Sequence, residues 1–313
     1  MDTVMTLTLH GEKETALQET LNGLTETIHQ LEGTLSATRE DSEIFALNRD
    51  GQAELSSCAA QLLEEALALC EETGGALDIT AYPALEVWGF PSGEYRVPSG
   101  EELEALAAGI DYTQVAIARP SAGSPASARL RGGGKVDLGA VAKGFLGDTL
   151  AAQLEQAGVT SALLDLGQSS IQAVGAKPDG SPWRIGIRDP AGEGYLAVVE
   201  LTGRAMGTSG GYQRFFEEDG QTYWHILDPD TAAPARSGLA SVTVIAPSGL
   251  VCDGLSTALF VMGLEEGTAF WRAHRDFEAV FLTEDGEIII TSGLKESFSL
   301  AQGYEGTGVT VLE

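Results

Sequence analysis

From Ser161 to Gly293 the chain reads as one apolar run after another: SALLDLGQSSIQAVG, PWRIGIRD, YLAVVELTG, YWHILD, LASVTVIAP, EAVFLTED and GEIIITSG. Only one pair of helical stretches, Asp253 to Gly263 and Glu265 to Arg275, interrupts them. A doubly wound sheet demands strict strand–helix alternation, which is missing here, so the pattern predicts an α+β fold.

The first half is richer in helix. Thr3 to Leu9 alternates as a strand, and after Gly11 a long helical stripe carries Leu17, Leu21, Leu24, Ile28, Leu31 and Leu35. Ser56 or Ser57 caps a second helix bearing Leu62, Leu63, Ala66, Leu67 and Cys70, which Thr73-Gly74-Gly75 ends in the left-handed conformation. Ser99 caps a third, GEELEALAAGI. TQVAIAR then reads as a strand, PSAGSPASARLRGGGK as hairpin-like turns, and VDLGAV as a strand feeding a helix through Leu154. No polar linker divides the 313 residues, so the expectation is one domain spanning 1–313.

A formal net charge of -28 argues against nucleic acid, whose phosphates require clustered Lys and Arg. Cys58, Cys70 and Cys252 lack the spacing of a zinc site or a disulfide scaffold, and the first two read as small buried hydrophobes. MDTVMTLTLHGEK has no apolar core of the kind a signal peptide needs, and no stretch is long enough to span a membrane.

Five segments carry chemistry. KVDLGAVAKGF places Asp137 before a helix and Lys143 near its start, where unpaired N–H groups and a positive charge suit an anion. Taken alone, it also reads as an ordinary turn with Asp137 as cap and Lys143 solvated. In VCDGLSTALFVMG, Asp253 and Thr257 stand four apart on one helix face, two oxygens for one hard cation such as Mg²⁺; the alternative is Asp253 as cap with Thr257 bonding back to it. GALDITAYPALEVWGF clusters Trp88 and Phe90 as a ring-binding loop or as plain core, and GTSGGYQRFF has the composition of an anion-cradling loop without the P-loop lysine. In TYWHILDPDTAAP, His225 is a core histidine or, if the chain turns at Asp228-Pro229 to bring Asp228 round, a general base. On an ideal strand the two would face opposite sides.

In order along the chain, the opening MDT, DSEIFALN, GGALDITAYPALEVWGF, DLGAVAKGF, LLDLGQSSIQAVG, PDGSPWRIGIRDP, GTSGGYQRFF, HILDPDTAAP and CDGLSTALFVMG resemble the ApbE family of flavin transferases. The resemblance implies two mixed α/β lobes with largely antiparallel sheets and a flavin cleft between them. It implies Mg²⁺-dependent transfer of FMN from FAD to a Thr or Ser hydroxyl of a partner protein bearing a Ser/Thr-Gly-Ala-Ser/Thr-like segment, with release of AMP. Mg²⁺-dependent hydrolysis of FAD to FMN and AMP, or FAD binding without turnover, are the alternatives.

By position, the resemblance makes Asp253, Ser256, Thr257 and the Ala140 carbonyl metal ligands, and His225 with Asp228 the pair that activates the hydroxyl. FAD contacts fall to Met1, Thr38, Ala76, Leu77, Asp78, Asp137, Lys143, Thr208, Ser209, Ile226 and Leu227. Thr38 stands where many relatives carry an aromatic, and Asp165-Leu166-Gly167-Gln168 replaces the usual Asn-Leu-Gly-Gly. The compartment stays open between cytoplasm and, with a leader removed, the cell envelope.

Overall fold

A computed structural model describes residues 3–119, 125–192 and 194–313. In chain order the elements begin with β1 (Thr6–His10), α1 (Glu14–Leu35), α2 (Glu43–Asp50), β2 (Gln52–Leu55), α3 (Ser57–Glu72), α4 (Tyr82–Trp88) and α5 (Gly100–Ala107). Next come β3 (Val115–Ala118), β4 (Ala126–Leu130), α6 (Ala142–Gln156), β5 (Ser161–Asp165), β6 (Ser170–Val174), β7 (Trp183–Arg188), β8 (Tyr195–Leu201) and β9 (Ala205–Gly210). β10 (Phe215–Glu218), β11 (Gln221–Trp224), β12 (Leu227–Asp228), β13 (Ala233–Pro234), β14 (Leu239–Ala246) and α7 (Gly249–His274) follow. The chain closes with β15 (Glu278–Thr283), β16 (Ile288–Thr291), β17 (Phe298–Leu300) and β18 (Val309–Leu312).

These elements form two compact units. Unit 1 holds His29–Ala142 and Gln213–Arg236; unit 2 holds the described chain up to Ile28, with Lys143–Tyr212 and Ser237–Glu313. Unit 2 is built on an eight-stranded sheet in the order β1-β5-β6-β9-β14-β15-β16-β18, antiparallel except for the β16–β18 pair. Side chains alternate across a strand, so the sheet sorts them onto two faces. On one face Ile171, Ala173, Met206, Ile245, Val280 and Ile290 pack against Trp183, Leu196 and Val199 of the small β17-β8-β7 sheet. The other face takes α7, which lies along β9 and β14.

Unit 1 has the three-stranded sheet β2-β4-β3, the hairpins β10–β11 and β12–β13, and α2 to α5. Ala84, Trp88, Phe90, Phe216, Leu227 and Ala232 form one of its buried clusters. The aromatics of GALDITAYPALEVWGF are therefore core: Trp88 and Phe90 are each 1% exposed, and the Trp88 indole N–H donates to the Ala232 carbonyl at 2.9 Å.

The α+β class holds, with largely antiparallel pairing. Caps predicted from sequence are present: Ser56 Oγ accepts from the Ala59 N–H, and Ser99 and Glu102 form a reciprocal capping box on α5. Arg96 beside Glu102, helped by the Ser99 N–H, holds that carboxyl down to about 2. Cys70 is buried, which pushes its thiol up to about 12, and Cys252 is buried too; Cys58 keeps partial exposure.

Other readings need correction. The first strand starts at Thr6, not Thr3, and the short elements α2, β2 and α4 are additional. VDLGAV is not a ladder strand: the Asn48 side-chain amide bonds both the N–H and the C=O of Val136, and Asp137 N–H bonds the Ile79 carbonyl. Part of the PSAGSPASARLRGGGK turn segment lies outside the described residues, and the rest contributes β4. AMGTSG, the start of the supposed anion loop, is the buried strand β9, its small residues admitting α7 against the backbone. YWHILD is not continuous; β11 stops at Trp224 and the chain bends at His225. The helix pair is present as read, within α7: it starts earlier, capped by Ser248, and non-helical backbone at Gly263 (φ 78°, ψ -177°) divides it in two.

Gly144 and Gly249 let α6 and α7 meet backbone to backbone: a Cβ on Gly144 would lie 2.0 Å from the Gly249 carbonyl oxygen. Gly144→Ala is expected to destabilise the protein by about 1–3 kcal/mol through overpacking. Gly23→Ala, in α1 with nothing within 4 Å of the added carbon, is expected to stabilise by about 0.5–1 kcal/mol. Thermal denaturation of the two variants should therefore shift in opposite directions; a shared direction would contradict the helix contact.

Candidate active site

In unit 2 the chemistry gathers at the start of α7. Asp253 lies in the second turn, not at the cap, and is 7% exposed. Its Oδ1 accepts from the Ser170 hydroxyl at 2.6 Å and its Oδ2 from the Gly144 N–H at 2.7 Å. Burial raises its pKa, against the Lys143 charge, the Ser170 hydroxyl and the Gly144 N–H, which favour the carboxylate. Lys143, one residue into α6, donates to Ser169 Oγ.

The loop that presents the two serines is held by Asp165, whose Oδ1 accepts from the N–H groups of Gly167 and Gln168 at 3.1 and 2.6 Å. Gly167 takes φ 96°, and a Cβ there would strike Thr3. Ser169, Ser170 and Gly144 were not singled out from sequence; the serines' only signal was two hydroxyls after a glycine in LLDLGQSSIQAVG, and Gly144 stood unmarked in DLGAVAKGF.

One turn further along α7, Ser256 and Thr257 each bond back to the Asp253 carbonyl, at 3.0 and 3.2 Å. Ser209 Oγ lies 2.9 Å from Ser256 Oγ and 3.0 Å from Thr257 Oγ1. Thr208 is the neighbour on β9 and therefore turns to the opposite face, where its hydroxyl meets Thr243 at 2.9 Å. The Ser209 group suits a hard cation. Three hydroxyl protons serve four oxygen–oxygen contacts, so lone pairs face one another unless a proton is shared, and every donor atom is oxygen.

In unit 1, His225 occupies the bend between β11 and β12. Its backbone N–H donates to the Arg214 carbonyl at 3.1 Å, and its ring Nδ1 lies 3.1 Å from the same oxygen. The Phe90 ring meets the imidazole edge-on, centroids 6.2 Å apart. Asp228 Oδ1 accepts from the Asp230 N–H at 2.9 Å, closing the Asp-Pro turn. The turn predicted at Asp228-Pro229 is there, but the chain has already bent at His225.

Asp137 precedes α6 and is half-buried; burial raises its pKa, while the Gly139 N–H and the Arg214 guanidinium favour the charged form. Arg214, in the quoted GTSGGYQRFF, was not chosen from sequence. Asp78 accepts from the Thr80 N–H and hydroxyl and from the Tyr112 N–H, tying its loop to residue 112; burial raises its pKa against those bonds. Leu77, Ile226 and Leu227 are buried side chains, which leaves backbone as their offering to a ligand. Ala76 is half-buried, Thr38 is exposed beside Ser36, and Ala140 sits in the turn before α6. Met1 lies outside the described residues.

Two units that bury a carboxylate among hydroxyls and a lysine, and fix a histidine on a bend, have the parts of an enzyme. The ApbE family profile matches residues 1–281. An FAD:protein FMN transferase of Treponema pallidum is 36% identical over 91% of this chain and 81% of its own length. One from Haemophilus influenzae is 34% identical over 82% and 77%. Among solved structures, the ApbE protein of Thermotoga maritima superposes with a TM-score of 0.86 at 30% identity, covering 94% of this chain and 95% of its own. The flavinyl transferase ApbE of Pseudomonas stutzeri gives 0.79 at 30%, covering 96% and 92%. The chain belongs to the ApbE family.

Ser170→Ala removes the hydroxyl donor from a buried carboxylate oxygen and is expected to cost about 1–3 kcal/mol in denaturant unfolding. Ser181 donates to Asp179 at the same 2.6 Å, but at the surface, where water substitutes. Ser181→Ala should cost far less; equal losses would mean that burial does not give the Asp253 bond its weight.

Proposed function

We propose that this chain transfers FMN from FAD to a Ser or Thr hydroxyl of an acceptor protein with a Ser/Thr-Gly-Ala-Ser/Thr-like segment, releasing AMP, and that residues 1–313 serve this reaction as one domain. The observation that carries the reading is Asp253, a buried carboxylate set among N–H, hydroxyl and ammonium donors in a chain of this family. A new bond forms between the acceptor oxygen and the FMN phosphorus, the diphosphate bridge breaks, and AMP leaves with the bridging oxygen.

Asp253, Ser256 and Thr257, with the Ala140 carbonyl, are the residues assigned to Mg²⁺, and Ser209 supports their hydroxyls. A Mg²⁺ ion held by them would supply positive charge to the phosphate oxygens. Lys143 adds a fixed positive charge for the diphosphate, and its ammonium also favours Asp253 in its charged form. This is how a chain of net charge -28 accommodates an anionic dinucleotide: the local field at the site, not the net charge, decides. His225 takes the proton of the incoming hydroxyl, and Asp228 shapes the turn beside it. Asp78, Asp137, Thr38, Ala76, Leu77, Thr208, Ile226 and Leu227 are assigned to the FAD surroundings, the buried ones through backbone.

Incubation with FAD, Mg²⁺ and such an acceptor should add the mass of the FMN moiety to the acceptor and release AMP in equal amount. His225→Ala should slow transfer by about 10²–10⁴-fold, the usual contribution of a general base, while FAD still binds. Free FMN formed without acceptor at a rival rate would make the chain a hydrolase, and FAD bound without any AMP release would make it a carrier.

A further inference from the structure

With His225 as the base, the side of the ring that receives the proton is set by Arg214. A carbonyl oxygen has two lone pairs and no hydrogen, so it only accepts. The Arg214 carbonyl receives the His225 backbone N–H through one contact and lies 3.1 Å from ring Nδ1 through the other. Nδ1 therefore carries the hydrogen, and in a neutral imidazole the lone pair is then on Nε2.

The same arginine anchors this oxygen from its other end. Its guanidinium donates to the Phe90 carbonyl, and the Phe90 ring, 1% exposed, meets the His225 ring edge-on at 64°. Three contacts close a circuit: Phe90 ring to imidazole, imidazole to Arg214 carbonyl, Arg214 side chain to Phe90 carbonyl. The half-buried Asp137 carboxylate, whose charged form the guanidinium favours, gives that side chain a further reason to stay.

We propose that Arg214 is the positioning residue of His225: its carbonyl fixes the ring as the Nδ1–H tautomer so that Nε2 takes the acceptor's proton, and its side chain, tied to Phe90, holds that carbonyl in place. The proposal rests on His225 being the base of the reaction above. The guanidinium acts on the chemistry only through the ring.

The chain has four histidines, so ¹⁵N-histidine labelling with a long-range ¹H–¹⁵N correlation is tractable, and His225→Ala assigns the signal. Recorded about two pH units above the ordinary histidine value of ~6.5, where the ring is neutral, wild-type His225 should show hydrogen on Nδ1. Arg214→Ala should lose that preference and transfer FMN about 10–100-fold more slowly at saturating FAD, the scale seen when an orienting partner is removed, with FAD affinity changed less than about twofold. Arg214→Lys, which keeps a donor for the Phe90 carbonyl, should recover the tautomer and part of the rate.

A wild-type ring with hydrogen on Nε2 overturns the proposal. So does an Arg214→Ala protein that keeps both tautomer and rate, or one that loses FAD affinity as fully as rate, since the arginine would then bind substrate. If Arg214→Ala fails to fold, the wild-type spectrum and Arg214→Lys still decide. A wild-type protein that transfers nothing refutes the transferase reading while the tautomer result stands by itself.

Discussion

Two helices and a strand in unit 2 approach more closely than any side chain allows, and the Asp253 site is a product of that approach. A Cβ on Gly207 would lie 2.6 Å from the Cys252 carbonyl carbon and 2.8 Å from the Asp253 N, and Gly144 and Gly249 meet with as little room. Backbone contact of this kind carries α7 onto β9 and brings the first turn of α6 to the Asp253 carboxylate. The Gly144 N–H is one of the groups left without a partner at a helix start, and Asp253 supplies it. The glycine that removes steric bulk thus also delivers the donor.

Burying a charge is unfavourable unless it is paired and hydrogen-bonded. Asp253 meets both conditions, with Ser170, Gly144 and the Lys143 ammonium around it, yet burial still outweighs them and raises its pKa. A carboxylate held that way is one to which added positive charge is worth more than it would be at the surface. The hydroxyls of Ser209, Ser256 and Thr257 add three oxygen atoms one turn further along α7. Ser170 and Ser209 face α7 from the sheet side because they occupy strand positions that point there, while Ile171 and Thr208 point away.

The parts legible in sequence were those governed by local rules. The leucine stripe of α1, the Ser56 and Ser99 caps, the glycine stop after α3 and the absence of strand–helix alternation all depend on neighbours within a turn or two. Asp253 and Thr257 shared a face for the same reason. What escaped was set by tertiary contacts. β9 looked like a loop because its glycines and hydroxyls have low strand propensity, and only α7 packing on its backbone makes a strand of it. VDLGAV looked like a strand, but Asn48, 88 residues from Val136 in sequence, satisfies the backbone that a ladder would have bonded. Arg214 and Ser170 carried no periodic signal, since each acts through a partner distant in sequence.

His225 shows how such a distant partner changes chemistry. On a continuous strand its ring would have been fixed by alternation alone, with the carboxylate three residues on facing the opposite side. The bend after β11 turns the backbone N–H and ring Nδ1 toward one carbonyl, so a single uncharged oxygen governs both the path of the chain and the orientation of the ring. A carboxylate at Nδ1 favours the imidazolium by direct charge attraction, whereas a carbonyl offers only the negative end of a dipole. The Arg214 carbonyl, which only accepts, therefore sets the tautomer of the ring by the same contact that sets its orientation.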